Sequence, residues 1–157
     1  MKLYFLRHTH AEDGADDAAR ALSDQGRSDA RKLGQFLKRS GVEFDATYAS
    51  PLVRARETAE IVLQQTNGQR GSPRLELAEA LTNRISTAAF QTWLGRLPAA
   101  GHILLVGHEP TISERVRRLL GVVRPDALEM PKGGLACLET EDRQSAVLKL
   151  FVSPKRL

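Results

Sequence analysis

The sequence has little cysteine, few aromatic residues and no long apolar run, and each shortage excludes a class of protein. Cys137 is the single cysteine among 157 residues, so the chain forms neither an internal disulfide nor a thiolate metal cluster. Aromatic residues make up only 5%, which argues against the interleaved aromatic and basic surface that binds single-stranded nucleic acid. No apolar run approaches the roughly 20 residues of a membrane-spanning helix. We therefore expect no nucleic-acid partner and no membrane partner.

The N-terminus does not have the layout of a signal peptide, and we see no internal repeat, linker or low-complexity segment. The N-terminal apolar run is too short for a signal peptide and ends at Arg7, which predicts a cytoplasmic protein. A length of 157 residues predicts one domain over residues 1–157 with a single core, and we expect a monomer. The net charge of +4 suits an anionic small molecule or a phosphorylated partner.

Apolar runs and helical periods alternate along the chain. Strands are predicted at residues 2–6, 44–49, 75–77, 103–106, 134–139 and 146–152, and helices at 27–39, 51–65, 86–97 and 111–120. Ser23 or Asp24 is predicted to cap the first helix, and Ser50 the second, with Pro51 as its first residue. Residues 67–73 form a predicted turn. Alternating strands and helices predict an α/β protein, a three-layer α/β/α fold with a mostly parallel sheet.

Basic side chains and imidazoles follow three of the predicted strands. Arg7 and His8 come directly after the first strand, and Arg54 lies one turn into the helix that follows the second. His108 follows the most apolar strand, residues 103–106. Because the carboxyl ends of parallel strands meet at one edge of a sheet, we expect these four side chains to lie together. Arginine forks two hydrogen bonds onto phosphate and a neutral imidazole can act as a nucleophile, so the pattern predicts a phosphate-transfer site.

Three sequence blocks resemble those of the histidine phosphatase superfamily, also called the phosphoglycerate-mutase-like fold. They are Leu6-Arg7-His8 followed by Ala11-Glu12, Ser50-Pro51-Leu52-Val53-Arg54-Ala55-Arg56-Glu57-Thr58-Ala59, and Val106-Gly107-His108-Glu109-Pro110. Each block alone is weakly specific, but the three in this order are highly specific. The small size and the Arg-His-x-x-Ala-Glu form make the chain similar to the SixA type, which is the phosphohistidine phosphatase branch.

The resemblance implies a metal-independent phosphatase that uses no cofactor. His8 would attack phosphorus and carry the phosphoryl group as phosphohistidine, which water would then hydrolyse. Arg7 and Arg54 would bind the phosphoryl oxygens, and His108 would donate a further hydrogen bond to the transition state. The expected substrate is the phosphohistidine of a protein, with a small phosphorylated molecule as the alternative.

Two other functions stay open at this point. A small-molecule phosphomonoesterase of the same superfamily depends on a carboxylic acid that protonates the leaving oxygen. Glu79 is the first candidate for that acid and Glu76 the second, although each is expected to be a surface charge. The second alternative is a non-catalytic phosphoprotein-binding module, which the presence of both histidines and both arginines disfavours. The first block departs from the family pattern at Thr9, where Gly or Ala is usual.

Several further residues are interpreted as structural. His10 and His102 lack supporting motifs, so we expect them at the surface or beside the pocket without a chemical role. Phe90 and Trp93 are expected in the core. The basic side chains of the last helix are expected to form a solvated face; they are Arg115, Arg117 and Arg118.

Overall fold

A six-stranded sheet forms the middle of the molecule. The computed structural model describes residues 1–68, 71 and 73–157. The strands are β1 (Lys2–Arg7), β2 (Ala46–Ala49), β3 (Leu75–Leu77), β4 (His102–Gly107), β5 (Leu135–Glu139) and β6 (Val147–Val152). The helices are α1 (Asp24–Arg39), α2 (Val53–Thr66), α3 (Thr87–Arg96) and α4 (Thr111–Leu120), and short 3-10 helices include Asp17–Ala19 and Glu79–Leu81. Every predicted strand and helix is present, with bounds that differ by a few residues.

The strands are ordered β3-β2-β4-β1-β5-β6 across the sheet. The first four run parallel to one another, whereas β5 pairs antiparallel with both β1 and β6. Two strands that pair in parallel need a connection of about a dozen residues or more. Only residues 140–146 join β5 to β6, so these two strands pair antiparallel. The sheet is mostly parallel, as predicted, and β1 and β4 lie side by side at its centre.

Helices cover both faces of the sheet. Along β1, Leu3 and Phe5 pack in the apolar cluster that includes α3 and α4, whereas Tyr4 and Leu6 pack in the cluster that includes α1 and α2. All four side chains are buried, which explains why this strand reads as a continuous apolar run rather than an alternating one. The predicted three-layer α/β/α fold in a single domain is confirmed.

The start of α1 agrees with the prediction, and the start of α2 does not. The side chain of Ser23 accepts a hydrogen bond from the first turn of α1 and caps it. By contrast, α2 begins at Val53, its N-cap is Leu52, and no side-chain hydrogen bond caps it. The predicted cap at Ser50 is wrong because the helix begins three residues after it; the Ser50 hydroxyl accepts from the Leu52 N–H and also lies against the imidazole of His108.

The predicted solvated basic face of α4 is wrong for Arg115, which is only 1% exposed. Its guanidinium carbon lies 4.3 Å from the centroid of the Phe90 ring, a distance that permits a cation–π contact. Its Nη2 donates to the carbonyl oxygens of Thr82 and Ile85. Arg115 therefore packs between α4 and α3 and holds the loop before α3, whereas Arg118 is exposed as predicted.

The predicted turn at residues 67–73 is only partly described, because Gln69, Arg70 and Ser72 lie outside the described residues. Asn67 is described, and its side-chain amide hydrogen-bonds both the N–H and the carbonyl of Phe44. This pair ties the end of α2 to the segment before β2. None of the described helices combines the length and apolarity that crossing a membrane requires.

Candidate active site

The carboxyl ends of β1, β2 and β4 meet at one edge of the sheet, and the three sequence blocks meet there with them. The backbone N–H of His8 donates to the Gly107 carbonyl at 3.1 Å, and that of Ser50 donates to the Val106 carbonyl at 3.0 Å. The imidazole centroids of His8 and His108 are 5.2 Å apart. Hydrogen bonds between neighbouring strands therefore bring both histidines to one place.

His8 leaves β1 with its imidazole buried. Its Nδ1 lies 2.7 Å from the Thr9 carbonyl oxygen, which only accepts, so Nδ1 carries the proton and the lone pair of the neutral ring lies on Nε2. Burial lowers the pKa of His8 to about 4, against the opposing hydrogen bond to Thr9 and with help from the charges of Arg54 and Arg7. At neutral pH the ring is therefore uncharged and has a nucleophilic Nε2.

His108 is a second buried imidazole, and it is hydrogen-bonded through Nε2, whereas His8 is hydrogen-bonded through Nδ1. Its Nε2 lies 2.7 Å from Ser50 Oγ, whereas Nδ1 is buried and has no hydrogen-bond partner in the described part of the chain. Ser50 is fully buried, and His108 Nε2 is the one acceptor that its hydroxyl proton meets among the described residues, so that proton is directed to Nε2 and the His108 proton resides on Nδ1. Burial, followed by repulsion from His8 and Arg54, lowers the pKa of His108 to about 3. The neutral ring thus carries one unpaired N–H donor.

Arg54 lies in the first turn of α2 and is buried. Its Nη1 donates to the Asp17 carbonyl at 2.8 Å, and its Nη2 donates to Asp17 Oδ2 at 3.3 Å. Two bonds to one residue orient the guanidinium and leave further N–H groups for a ligand. The start of α2 has no side-chain cap, so its partial positive charge adds to that of Arg54 in favouring an anion.

Arg7 is half-buried at the end of β1. Its Nη1 donates to the Met130 carbonyl at 3.0 Å, and its Nε is buried without a partner in the described structure. A buried donor that lacks an acceptor costs stability. The unpaired donors of Arg7 and His108 would both be satisfied by a ligand rich in anionic oxygens. Lys132 adds a further positive charge close enough to lower the pKa of His8.

The segment after His8 is held from two sides. Thr9 is fully buried, its N–H donates to Thr58 Oγ1 at 3.2 Å, and its hydroxyl lies 3.3 Å from the same oxygen. On the other side, Gly26 of α1 approaches so closely that a Cβ there would lie 2.0 Å from the His10 carbonyl oxygen. The departure from the family pattern at Thr9 therefore anchors the backbone whose carbonyl orients His8.

A cleft of about 360 Å³ lies beside Arg54 and His108. Its lining residues are Asp16, Asp17, Ala18, Leu52, Arg54, Thr82, Asn83, Arg84 and His108. Sequence reasoning missed two residues of this site, Asp17 and Ser50. Ser50 belongs to the second sequence block, which was a usable signal, but its position before a proline suggested a helix cap instead. Asp17 lies in an acidic loop, and nothing in the sequence pairs it with Arg54.

Of the four predicted site residues, Arg54 and His108 line this cleft, whereas Arg7 and His8 do not. The two candidate general acids do not line it either, and the exposure of each carboxylate decides its assignment. Glu79 Oε2 pairs with Arg84 Nη2 at 2.9 Å, and the Glu79 side chain is 61% exposed. Glu76 is exposed on β3. Both positions suit a solvated charge better than a proton donor to a bound substrate.

The other two imidazoles lie against hydroxyl groups. His10 Nδ1 lies 2.7 Å from the hydroxyl of the α1 cap Ser23, and His102 Nδ1 lies 2.9 Å from the Tyr4 hydroxyl. Among the described residues, no three side chains of the histidine, cysteine, aspartate or glutamate type gather into a metal-ligand group.

Comparison with protein families matches residues 3–84 to the histidine phosphatase superfamily (branch 1). The matched segment includes Arg7, His8 and Arg54 and ends before His108. A functionally uncharacterised protein of Picosynechococcus sp. is 34% identical over 167 aligned residues, which cover 100% of this chain and 99% of that protein.

Solved structures share the whole fold. The protein histidine phosphatase SixA, solved with tungstate, has a TM-score of 0.89 and 23% identity, covering 99% of both chains. A phosphoserine phosphatase from Entamoeba histolytica, solved with phosphoserine, has a TM-score of 0.70 and 20% identity, covering 99% of this chain and 98% of that one. At such identities the likeness establishes the phosphoglycerate-mutase-like fold, and the chemistry must be argued from the site.

Proposed function

Because the chain belongs to the histidine phosphatase superfamily, we propose that it hydrolyses protein phosphohistidine through a phosphoryl group carried on His8. The observation that carries this proposal is the 2.7 Å contact between His8 Nδ1 and the Thr9 carbonyl. It directs the lone pair of a neutral imidazole to Nε2, beside two arginines. A nucleophile next to fixed cations is what phosphoryl transfer requires, because that reaction depends mainly on positioning and charge stabilisation.

In the first step, Nε2 of His8 attacks phosphorus in line with the departing atom. The new N–P bond forms while the bond to the departing atom breaks, and its electron pair stays on that atom. Arg7, Arg54 and the Nδ1–H of His108 stabilise the charge on the three phosphoryl oxygens. These donors are already in place, so no reorganisation opposes the transfer.

In the second step, water attacks the phosphorus of phosphorylated His8. The N–P bond breaks, its electron pair returns to Nε2, and inorganic phosphate leaves with the oxygen and protons of water. The proton stays on Nδ1 throughout and is donated to the Thr9 carbonyl, so His8 departs as a neutral imidazole rather than as an imidazolate. The same hydrogen bond therefore favours both attack and release.

Two observations support a phosphohistidine substrate. The fold is most like SixA among the structures compared above. In addition, the carboxylate beside Arg54 is a poor proton donor, because hydrogen bonds from Arg20 and Arg54 lower the pKa of Asp17. Release of an alkoxide from a phosphate ester depends on a proton donor. Release of an imidazole that is protonated on its other nitrogen does not.

A second candidate is a small-molecule phosphomonoesterase, favoured by the shared fold of the phosphoserine phosphatase. Turnover of a phosphohistidine protein and of phosphoserine by the same preparation separates the two candidates. We expect a strong preference for phosphohistidine, and a preference for the ester would replace the proposed substrate. Binding of both without turnover would identify a phosphoprotein-binding module instead.

The nucleophile is tested by trapping the intermediate. Rapid quenching without acid, after mixing with a radiolabelled phosphohistidine protein, should leave label on His8 and none on a His8→Ala variant. His10→Ala is the matched control, because it removes an exposed imidazole two residues away and should label like the wild type. Full turnover by His8→Ala would refute the assignment. If the enzyme needs no metal, turnover should be unchanged in excess chelator. The cytoplasmic location and the monomeric state stay predictions.

A further inference from the structure

Asp17 places a carboxylate at the mouth of the cleft beside Arg54. Its Oδ2 accepts from Arg54 Nη2 at 3.3 Å, and its Oδ1 accepts from Arg20 Nη1 at 3.0 Å. The side chain of Asp17 is nevertheless 67% exposed, so part of the carboxylate stays open to the cleft that Asp17 lines together with His108.

This carboxylate is an acceptor and not a proton donor. The hydrogen bond from Arg20 and the contact with Arg54 lower the pKa of Asp17, so it is ionised at neutral pH. Its charge also reaches the reaction centre, because it acts to raise the pKa of His108. A fixed negative charge beside a pocket for a phosphoryl dianion weakens the binding of any anion unless another part of the ligand compensates.

We propose that Asp17 recognises the leaving imidazole of the substrate by accepting a hydrogen bond from the ring nitrogen that does not carry phosphorus. This inference rests on the proposed function and identifies the part of the substrate that Asp17 would contact. A phosphohistidine ring offers that N–H when it is protonated, with a positive charge that attracts Asp17. A phosphoserine side chain offers neither the N–H nor the positive charge.

The proton balance of the first step explains why this contact assists the reaction. When His8 Nε2 bonds to phosphorus, the P–N bond of the substrate breaks and its electron pair stays on the departing nitrogen. A ring already protonated on its other nitrogen then leaves as neutral imidazole, and no proton has to reach the departing atom. By favouring the protonated ring, the Asp17 carboxylate takes the place of a general acid for this leaving group only.

Asp17→Asn removes the charge and leaves the structural contacts of this residue largely available. The shorter bond to Arg54, from Nη1 at 2.8 Å, goes to the backbone carbonyl of Asp17, and the Asn side-chain oxygen can still accept. Asp13→Asn is the matched control, because Asp13 is an exposed residue of the same loop and the variant makes the same change in net charge.

Binding is measured first, on a His8→Ala background that prevents turnover, by calorimetry with a phosphohistidine peptide and a phosphoserine peptide of the same sequence. Asp17→Asn should weaken binding of the phosphohistidine peptide about 10-fold or more, the scale of one charged hydrogen bond. It should leave the phosphoserine peptide unchanged or bound more tightly, and Asp13→Asn should alter neither affinity more than about twofold. A tightening of both peptides by Asp17→Asn would overturn the proposal, since Asp17 would then act only by repulsion.

Turnover with the native His8 gives the second measurement. Asp17→Asn should lower kcat on the phosphohistidine peptide about 10-fold or more without lowering kcat on the phosphoserine peptide. An equal fall on both substrates would overturn the leaving-group role. If the wild type hydrolyses neither peptide, the proposed function fails. The affinities for the two peptides still decide whether Asp17 binds the imidazole.

Discussion

His8 and His108 lie side by side, both buried and both neutral at pH 7, yet the protein holds them from opposite nitrogens. Nδ1 of His8 lies against a backbone carbonyl, and Nε2 of His108 lies against the hydroxyl of Ser50. The first arrangement leaves a lone pair free on Nε2, and the second leaves an N–H free on Nδ1. In the proposed mechanism, two identical side chains thereby serve as a nucleophile and a hydrogen-bond donor.

The partners differ in kind as well as in position. The Thr9 carbonyl is part of the backbone, which the hydrogen bonds of Thr9 to Thr58 anchor, so no side-chain substitution removes it directly. Ser50 is a side-chain partner, and a single substitution removes its hydroxyl. The nucleophile therefore has a tautomer built into the fold, whereas the tautomer of the donor depends on one residue.

The largest expected effect separates the two rings by chemical rescue. His8→Gly should lower turnover by about 10⁴-fold or more, because the nucleophile is lost. Added imidazole should restore part of the activity and release phosphoimidazole, which phosphorus NMR detects. In His108→Gly the same addition should release no phosphoimidazole, since His8 still takes the phosphoryl group. Phosphoimidazole from the His108 variant would reverse the two assignments.

A smaller loss is expected when the donor alone is removed. His108→Ala should lower the rate of phosphorylation about 10²- to 10³-fold, the usual effect of losing one donor to transition-state charge. Rapid-quench kinetics should still find the label on His8. A rate unchanged from the wild type would mean that the unpaired Nδ1–H of His108 does not contact the transferred group.

A loss of about 10-fold is expected from Ser50→Ala, because His108 can then adopt the other tautomer and present a lone pair to a phosphoryl oxygen. Nitrogen-15 NMR of the His108 ring should show a mixture of tautomers, a change that a purely structural role would not produce. Thr47→Val is the control, since the buried Thr47 hydroxyl has no hydrogen-bond partner among the described residues. A single Nδ1–H tautomer in Ser50→Ala would contradict the role given to Ser50.

The smallest effect concerns stability in acid. The folded-state pKa values of about 4 for His8 and about 3 for His108 lie below the ordinary 6.5. As pH falls below about 6.5, the two imidazoles become protonated in the unfolded chain but stay neutral in the folded chain. The free energy of unfolding therefore decreases until the pH falls below the folded-state pKa values. His8→Gln should reduce this decrease by about 1–3 kcal/mol at pH 4.

Denaturant unfolding at pH 7 and pH 4 measures that difference for the wild type and for each variant. His108→Gln should flatten the same curve and extend the flattening to a lower pH, because the pKa of His108 is the lower of the two. Identical pH dependence in wild type and both variants would show that the two rings are not held neutral by burial.

Several parts of the structure followed directly from sequence patterns. Residues 103–106 of the strand before His108 are buried and are all apolar, and α4 spans the predicted residues 111–120. Ser23 caps α1 as predicted because capping is a local interaction. The meeting of the three strand ends followed from the rule for parallel sheets. Each of these features depends on neighbouring residues or on a regular period.

The errors share the opposite property, because they depend on contacts between distant segments. Local motifs predict a helix cap at Ser50, whereas its partner His108 is 58 residues away. They predict a solvated Arg115, whereas the ring of Phe90 and the carbonyls before α3 contact its guanidinium. The bond between Arg54 and Asp17 spans 37 residues. Periodicity and local motifs carry no information on such pairs.

The sequence by itself determined the fold class, the order of the three blocks and the residue types gathered at the strand ends. Only the tertiary structure decided which nitrogen of each histidine bears the proton, and that the Asp17 carboxylate lies beside Arg54. The reason is physical, because protonation depends on burial and on the atoms in contact with the ring. Those atoms come from segments that only folding brings together.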